Sequence, residues 1–194
     1  MNPLERLRRA GVGFANDPGF EDVRTECTRL AGSLLDRGYK LIGLVPVDAS
    51  VAIPPLAIQL GRSLVGLCGA AIGIIDATAT WPTFETTHTS GHVQSLFSAT
   101  WIDDSLAILS PRTFDAGAML RNIGMALEAE AAIFAVLIVD MTGFDQMGEH
   151  LAAIALMDGL IPVARAGSSR DDRIARWLRD IPADRNLGIL LTGA

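Results

Sequence analysis

Residues 39–64 read YKLIGLVPVDASVAIPPLAIQLGRSL, and their pattern decides the fold. Residues 41–45 form a short, wholly apolar run, as expected of a strand covered on both faces. Leu56, Leu60 and Leu64 return every fourth residue, which puts them on one face of a helix over residues 56–67. Between the two lies a short segment rich in proline, so the stretch predicts strand, tight loop and helix.

The same unit recurs along the chain. Buried strands are predicted at residues 71–76, 105–110, 133–139, 160–165 and 187–191, each bounded by turn residues. Helices are predicted at 20–37, 114–130 and 146–157, and a further one begins at Ser168 and Ser169, which would cap it, with acids in its first turn. Their inward faces are read as Val23, Cys27, Leu30, Leu34 and Leu35; Met119, Ile123, Ala126 and Leu127; and Ile174, Trp177, Leu178 and Ile181. Strands alternating with helices imply an α/β protein, a three-layer, doubly wound, mostly parallel sheet with helices on both faces. A charged helix at residues 3–10 and a break at 11–19 mark residues 1–19 as an arm, leaving 20–194 as a single domain.

Composition narrows the function. Sixteen basic residues against 22 acidic ones give a net charge of −6, and the basic residues are scattered, which argues against phosphate-neutralising contact with nucleic acid. Cys27 and Cys68 both fall on expected inner helix faces with no metal-type spacing, so both read as buried thiols of a reducing compartment. The N-terminus carries charges without a following apolar core, unlike a signal peptide. Residues 51–75 are strongly apolar but contain Pro54, Pro55 and Arg62, so they read as protein core, not a membrane span. These features point to a cytoplasmic protein. The mean hydropathy of +0.33 suits buried parallel strands, with an exposed apolar interface as a further contributor.

The strand, loop and helix at 39–64 resemble the P-loop of ParA/MinD-like ATPases, and within them the cytoplasmic domains of bacterial tyrosine kinases of exopolysaccharide synthesis. Placing Leu60 on the leucine of that family's helix sets Asp48, Ala49, Ser50, Val51, Ala52, Ile53, Pro54 and Pro55 against K-G-G-x-G-K-[ST]-T. A working P-loop needs glycines to bring backbone N–H groups onto phosphate, a lysine for the β/γ-phosphates and a hydroxyl for Mg²⁺. Ile53 stands in place of that lysine, and Pro54, without hydroxyl or N–H, in place of the hydroxyl residue. The resemblance runs through residues 20–194 in order and spacing. Residues 20–30 loosely resemble the interfacial E-x-F-R-x-L-R helix of the kinases, and an ordinary packing helix fits them equally well.

The family's two acidic strand ends have counterparts in Asp76 and Asp140. The resemblance gives Asp76 a place near the attacking water and Asp140 the Walker B role of ordering Mg²⁺ through water. Without lysine or hydroxyl, Asp76 reads first as a turn-capping residue. Thr192 stands where active relatives carry the asparagine that meets adenine. No cofactor is therefore expected, and Asp48, Ser50, Ile53, Pro54, Pro55, Asp76, Asp140 and Thr192 constitute a vestigial nucleotide site. His88 and His92 are four residues apart, a metal-pair spacing on a helix. The intervening Thr-Ser-Gly disfavours a helix and no third ligand is evident, so a surface loop or partner contact is the preferred reading.

Two functions follow. The first is a non-catalytic scaffold or regulator that works through a homodimer, a heterodimer or docking on a protein partner, recruited by a membrane protein without inserting itself. The apolar loop of residues 51–55 would serve such a contact, or would fill an emptied phosphate cavity. The second is an enzyme binding a nucleotide or divalent metal in an unconventional site on Asp76 and Asp140, with Asp48 nearby; a variant of it keeps residual nucleotide binding with Arg112 or Arg165 in place of the lysine, although either arginine more often makes a surface ion pair. Autophosphorylation on tyrosine is disfavoured, since Tyr39 is the single tyrosine and begins a core strand.

Overall fold

The structure, a computed structural model, describes residues 5, 21–77, 97–111, 120–125, 133–144 and 148–193. Apart from residue 5, the arm at 1–19 lies outside the described residues, as do the His88/His92 loop and most of the helix expected at 114–130. Within them, one seven-stranded sheet has the order β3-β4-β2-β5-β1-β6-β7. Its strands are β1 (Leu41–Pro46), β2 (Ile72–Asp76), β3 (Phe97–Asp103), β4 (Leu106–Pro111), β5 (Val136–Asp140), β6 (Gly159–Arg165) and β7 (Leu190–Thr192). Every pairing is parallel except β3 with β4. The helices are α1 (Glu21–Asp36), α2 (Ile53–Cys68), α3 (His150–Leu156) and α4 (Asp171–Asp180), and residues 120–125 are also helical.

Side-chain alternation along each strand sorts the core into two layers. On one face Ile42, Leu44, Ile74 and Ile138 pack with Cys27, Leu30 and Leu34 of α1 and with Leu56, Leu60 and Leu64 of α2. On the other, Leu41, Val45, Ile75 and Val139 pack with Ile123, with Ala153 and Ile154 of α3 and with Trp177 of α4. This is the three-layer, doubly wound arrangement expected from the sequence. The chain runs from β1 past β5 to β2 and β4, then returns through β5 to β6 and β7, so connections diverge around the β1/β5 pair. Open α/β sheets receive ligands at the carboxyl ends of strands at such a point.

Several local expectations shift. Strand β3 was not foreseen: its exposed alternate residues and antiparallel edge position give it a mixed, interrupted apolar pattern. Helix α2 starts at Ile53, not 56, because proline is tolerated in a first turn whose N–H groups lack intrahelical partners anyway. Strand β5 begins at Val136, and Ile133 is 54 % exposed. Strand β7 is only Leu190–Thr192, preceded by a single bridge between Leu160 and Asn186. Against the sequence expectation of two inward residues, Cys68 is exposed at the end of α2 and Leu178 is 37 % exposed. Trp177 on α4 and Ile181 at its C-cap are buried, with Ile174 packed beside them. The expected serine cap of α4 is absent: Arg170 is the N-cap, with no side-chain cap bond, and the Ser169 hydroxyl accepts the Arg165 amide at 2.9 Å instead. Helix α1 does end at Gly38 as read. Its φ of 68° lets Tyr39 N–H and Gly38 N–H close back on Leu34 and Leu35 carbonyls.

Candidate functional site

The carboxyl edge of the sheet gathers most of the residues singled out in the sequence. Strand β1 delivers the chain into residues 47–52, and the Val47 amide donates to the Val163 carbonyl at 2.9 Å, tying this loop to β6. Asp48 then turns the chain. Its Oδ1 accepts the Ser50 amide at 2.9 Å and also the Ser50 hydroxyl. The Ser50 hydroxyl, then a Ser169 hydroxyl bond, and further the Ser50 amide and the Arg173 charge hold the Asp48 carboxyl below its ordinary value, against a smaller opposing effect of burial.

The N-terminus of α2 is where a phosphate would be received by a helix of this position. Ala52 is its N-cap, with no side-chain cap bond. Of the four backbone groups from Ala52 to Pro55 that a helix start leaves without an intrahelical partner, Pro54 and Pro55 carry no N–H, leaving the amides of Ala52 and Ile53. The Ile53 side chain is fully buried and Val51 is 8 % exposed, both within the core layer under α1 and α2. Ala52 is exposed and the two prolines are half-buried, so the segment divides between core filling and surface.

Asp76 and Asp140 end adjacent strands and are register partners, each 1 % exposed. The Oδ1 atom of Asp140 accepts the Thr142 amide at 2.8 Å, and the turn is completed by Gly143 at φ 87° and by the buried ring of Phe144. Thr192 lies two strands from β1, on β7, where its hydroxyl donates to the Ala164 carbonyl at 3.3 Å. The sheet therefore brings Asp48, Ser50, Ile53, Pro54, Asp76 and Asp140 to one edge, and Thr192 to the flank of that edge. Among the described residues, no group of three or more His, Cys, Asp or Glu side chains is placed to hold a metal ion. His88, His92 and Arg112 are outside the described residues. Sequence reading missed the influence of Ser169 and Arg173 on the Asp48 carboxyl, since nothing local in S-S-R-D-D-R announces an effect on a loop so distant in the chain.

Neither a protein-family model nor a curated protein matches the chain. Solved structures do. The BceF tyrosine kinase domain superposes with a TM-score of 0.66 at 17 % identity, covering 89 % of this chain and 76 % of its own. The kinase domain of the Escherichia coli tyrosine kinase ETK gives 0.67 at 13 % identity, covering 100 % and 95 %. A ParA family ATPase from Chlorobium tepidum gives 0.54 at 17 % identity, covering 79 % and 73 %. The chain has the fold of bacterial tyrosine-kinase domains and ParA-type ATPases. At these identities the likeness is one of fold, and activity must be argued from the residues at the edge. No helix among the described residues is long and apolar enough to cross a membrane.

Proposed function

We propose that this protein is a non-catalytic, ParA/MinD-like scaffold or regulator, a pseudo-ATPase acting in the cytoplasm through self-association or docking on a protein partner. The observation that carries this reading is the start of α2. A buried isoleucine and two prolines stand there, removing the charge, the hydroxyl and two amide donors that phosphate and Mg²⁺ require. A carboxylate, Asp48, occupies the position aligned with the lysine that reaches across the nucleotide dimer of the resembled ATPases, and like charge opposes a triphosphate. The fold shared with tyrosine-kinase domains suggests a setting in polysaccharide export or another cell-envelope or polar assembly, with recruitment by a membrane protein.

The test is equilibrium binding of ATP and ADP by calorimetry, with and without Mg²⁺, with oligomeric state measured in parallel. The expected result is no binding up to millimolar nucleotide and a dimer that forms without it. Micromolar, Mg²⁺-dependent binding would overturn the proposal and favour an unconventional site on the adjoining carboxylates of Asp76 and Asp140.

A further inference from the structure

The sheet has two lateral edges among the described residues, and they differ in kind. One is β3, which runs antiparallel to β4, carries a register shift between Trp101 and Asp103 and ends at the exposed acids Asp103 and Asp104. Charge and irregularity of that sort discourage the addition of another strand. The other is β7, which follows β6 in parallel and lies last in the sheet. Residues 187–193, LGILLTG, carry no charge and no proline. The Thr192 carbonyl accepts the Ala166 amide at 3.0 Å, so Thr192 turns its main-chain groups toward β6. Leu191, one residue earlier, therefore turns its own N–H and C=O outward. Leu190 is buried in the layer with α1 and α2, which puts the Leu191 side chain on the opposite face, that of α4. Leu191 is 60 % exposed, Ile189 beside it is 38 % exposed, and Leu178 of α4 is exposed on the same side of the sheet. The entry to the strand is already fixed, since Gly188 takes φ 93° and donates its amide to the Asn186 side chain at 2.9 Å.

We propose that β7 is the self-association surface of this protein: two copies join their β7 strands antiparallel about a two-fold axis and continue the sheet from one protomer into the next. The inference rests on the proposed scaffold reading and deepens it, by naming the second copy as partner and the surface it uses. Outward N–H and C=O groups accept an extended main chain and match neither a helix nor a lipid surface. The strand itself is such a chain. Leu191 of one copy, set opposite Leu191 of the other, exchanges both main-chain hydrogen bonds with it, the reciprocal contact that a two-fold interface requires. An axis perpendicular to the sheet keeps both leucines on the α4 side, where each covers apolar surface of the other. Charge favours the same place. Copies of net charge −6 repel one another, and this uncharged strip lets them approach without opposing carboxylates. The pairing engages few residues, so the dimer belongs to the small, transient class of interfaces.

Sedimentation equilibrium of the full chain without nucleotide, over a concentration series reaching the sub-millimolar range, measures the dimer, and amide exchange at low and high concentration locates it. The wild type is expected to dimerise, with the Leu191 amide exchanging about tenfold or more slowly at high concentration while residues 49–52 do not change. Leu191→Lys sets two like charges together across the axis, and Leu191→Pro removes an N–H that β6 does not use. Each should raise the dissociation constant about tenfold or more. Leu191→Lys leaves the main chain intact and carries the test where proline disturbs β7, with an unchanged urea midpoint in dilute protein as the check on the protomer. Ala52→Lys, on the exposed part of the loop before α2, should dimerise as the wild type does. A dimer that survives both Leu191 variants, or a chain that is monomeric throughout, would overturn the inference. Loss of such a surviving dimer in Ala52→Lys would place the contact at the carboxyl edge and leave the scaffold reading standing. Micromolar ATP binding bears on the scaffold reading alone, so the two fail separately.

Discussion

Asp76 on β2 and Asp140 on β5 are register partners at the carboxyl ends of two adjoining parallel strands, and each is 1 % exposed. Buried carboxylates persist when their oxygens have partners, and for Asp140 one partner is the Thr142 amide at 2.8 Å. Asp140→Ala should cost about 1–3 kcal/mol in urea unfolding, because a half-buried N–H loses its acceptor. Asp140→Asn retains a side-chain oxygen for the same amide, so its cost should be smaller. Equal losses in the two variants would show that charge, not the turn, holds this position.

Asp48 gives the fold an acid dependence of known sign. Its folded-state pKa is lowered from 3.8, first by the Ser50 hydroxyl and then by Ser169, the Ser50 amide and Arg173. A depressed acid contributes stability that is present above its unfolded pKa and is lost as pH falls through the folded value. The stability difference between wild type and Asp48→Asn should therefore be constant above about pH 5 and shrink as pH drops below the ordinary aspartate range. Urea midpoints at a series of pH values measure it. A difference that does not change with pH would mean the carboxylate is no better solvated in the fold than in the unfolded chain.

The sheet was legible because its strands are nearly pure apolar runs ended by Asp76, Asp140 or a turn, and burial on both faces leaves no alternation to misread. The edge strand β3 was not, since only its first and sixth residues are buried and the others are polar or exposed. At the candidate site, the losses at Ile53 and Pro54 could be read from the sequence because they are local substitutions in a spaced motif. The tie of the loop after β1 to β6 through Val47 and Val163 could not, because it forms only once β6 is laid beside β1. The serine cap of α4 failed for a related reason: Ser169 has the right chemistry but lies one residue before the N-cap Arg170, and its oxygen accepts the Arg165 amide.

The two cysteines should differ sharply in reactivity. Cys27 lies fully buried in the core, and burial, with a lesser contribution from Glu26, pushes its thiol up to about 12. At pH 8 roughly one Cys27 side chain in ten thousand would be thiolate, the form that reacts. A thiol-disulfide reagent should therefore titrate one thiol, Cys68, in the native protein and two in urea. The same shift predicts that stability, full below the unfolded thiol pKa near 9, declines as pH rises toward 12, because only the unfolded chain releases the proton. Cys27→Ala should remove that alkaline decline while lowering stability at neutral pH through the cavity it leaves.

Gly43, in the middle of β1, is required by close packing, not by backbone conformation. A Cβ there would lie 2.5 Å from Met141 Sδ, 2.9 Å from Leu160 Cδ2 and 3.2 Å from Met157 Cγ. Met141 directly follows Asp140, and its amide donates to the Leu44 carbonyl, so pressure at Gly43 is transmitted to the turn that begins at Asp140. Gly43→Val should destabilise the protein by about 1–3 kcal/mol or more through overpacking. Gly43→Ala should cost less, because the end of a methionine side chain can swing aside more easily than backbone. The decisive measurement is the double variant Gly43→Ala with Met141→Ala. If the clash with the sulfur dominates, the pair should be more stable than the sum of the single losses predicts, with a coupling of about 0.5–3 kcal/mol. Strict additivity would place the obstruction at Leu160 and Met157 instead, and would free the Asp140 turn from any dependence on the glycine.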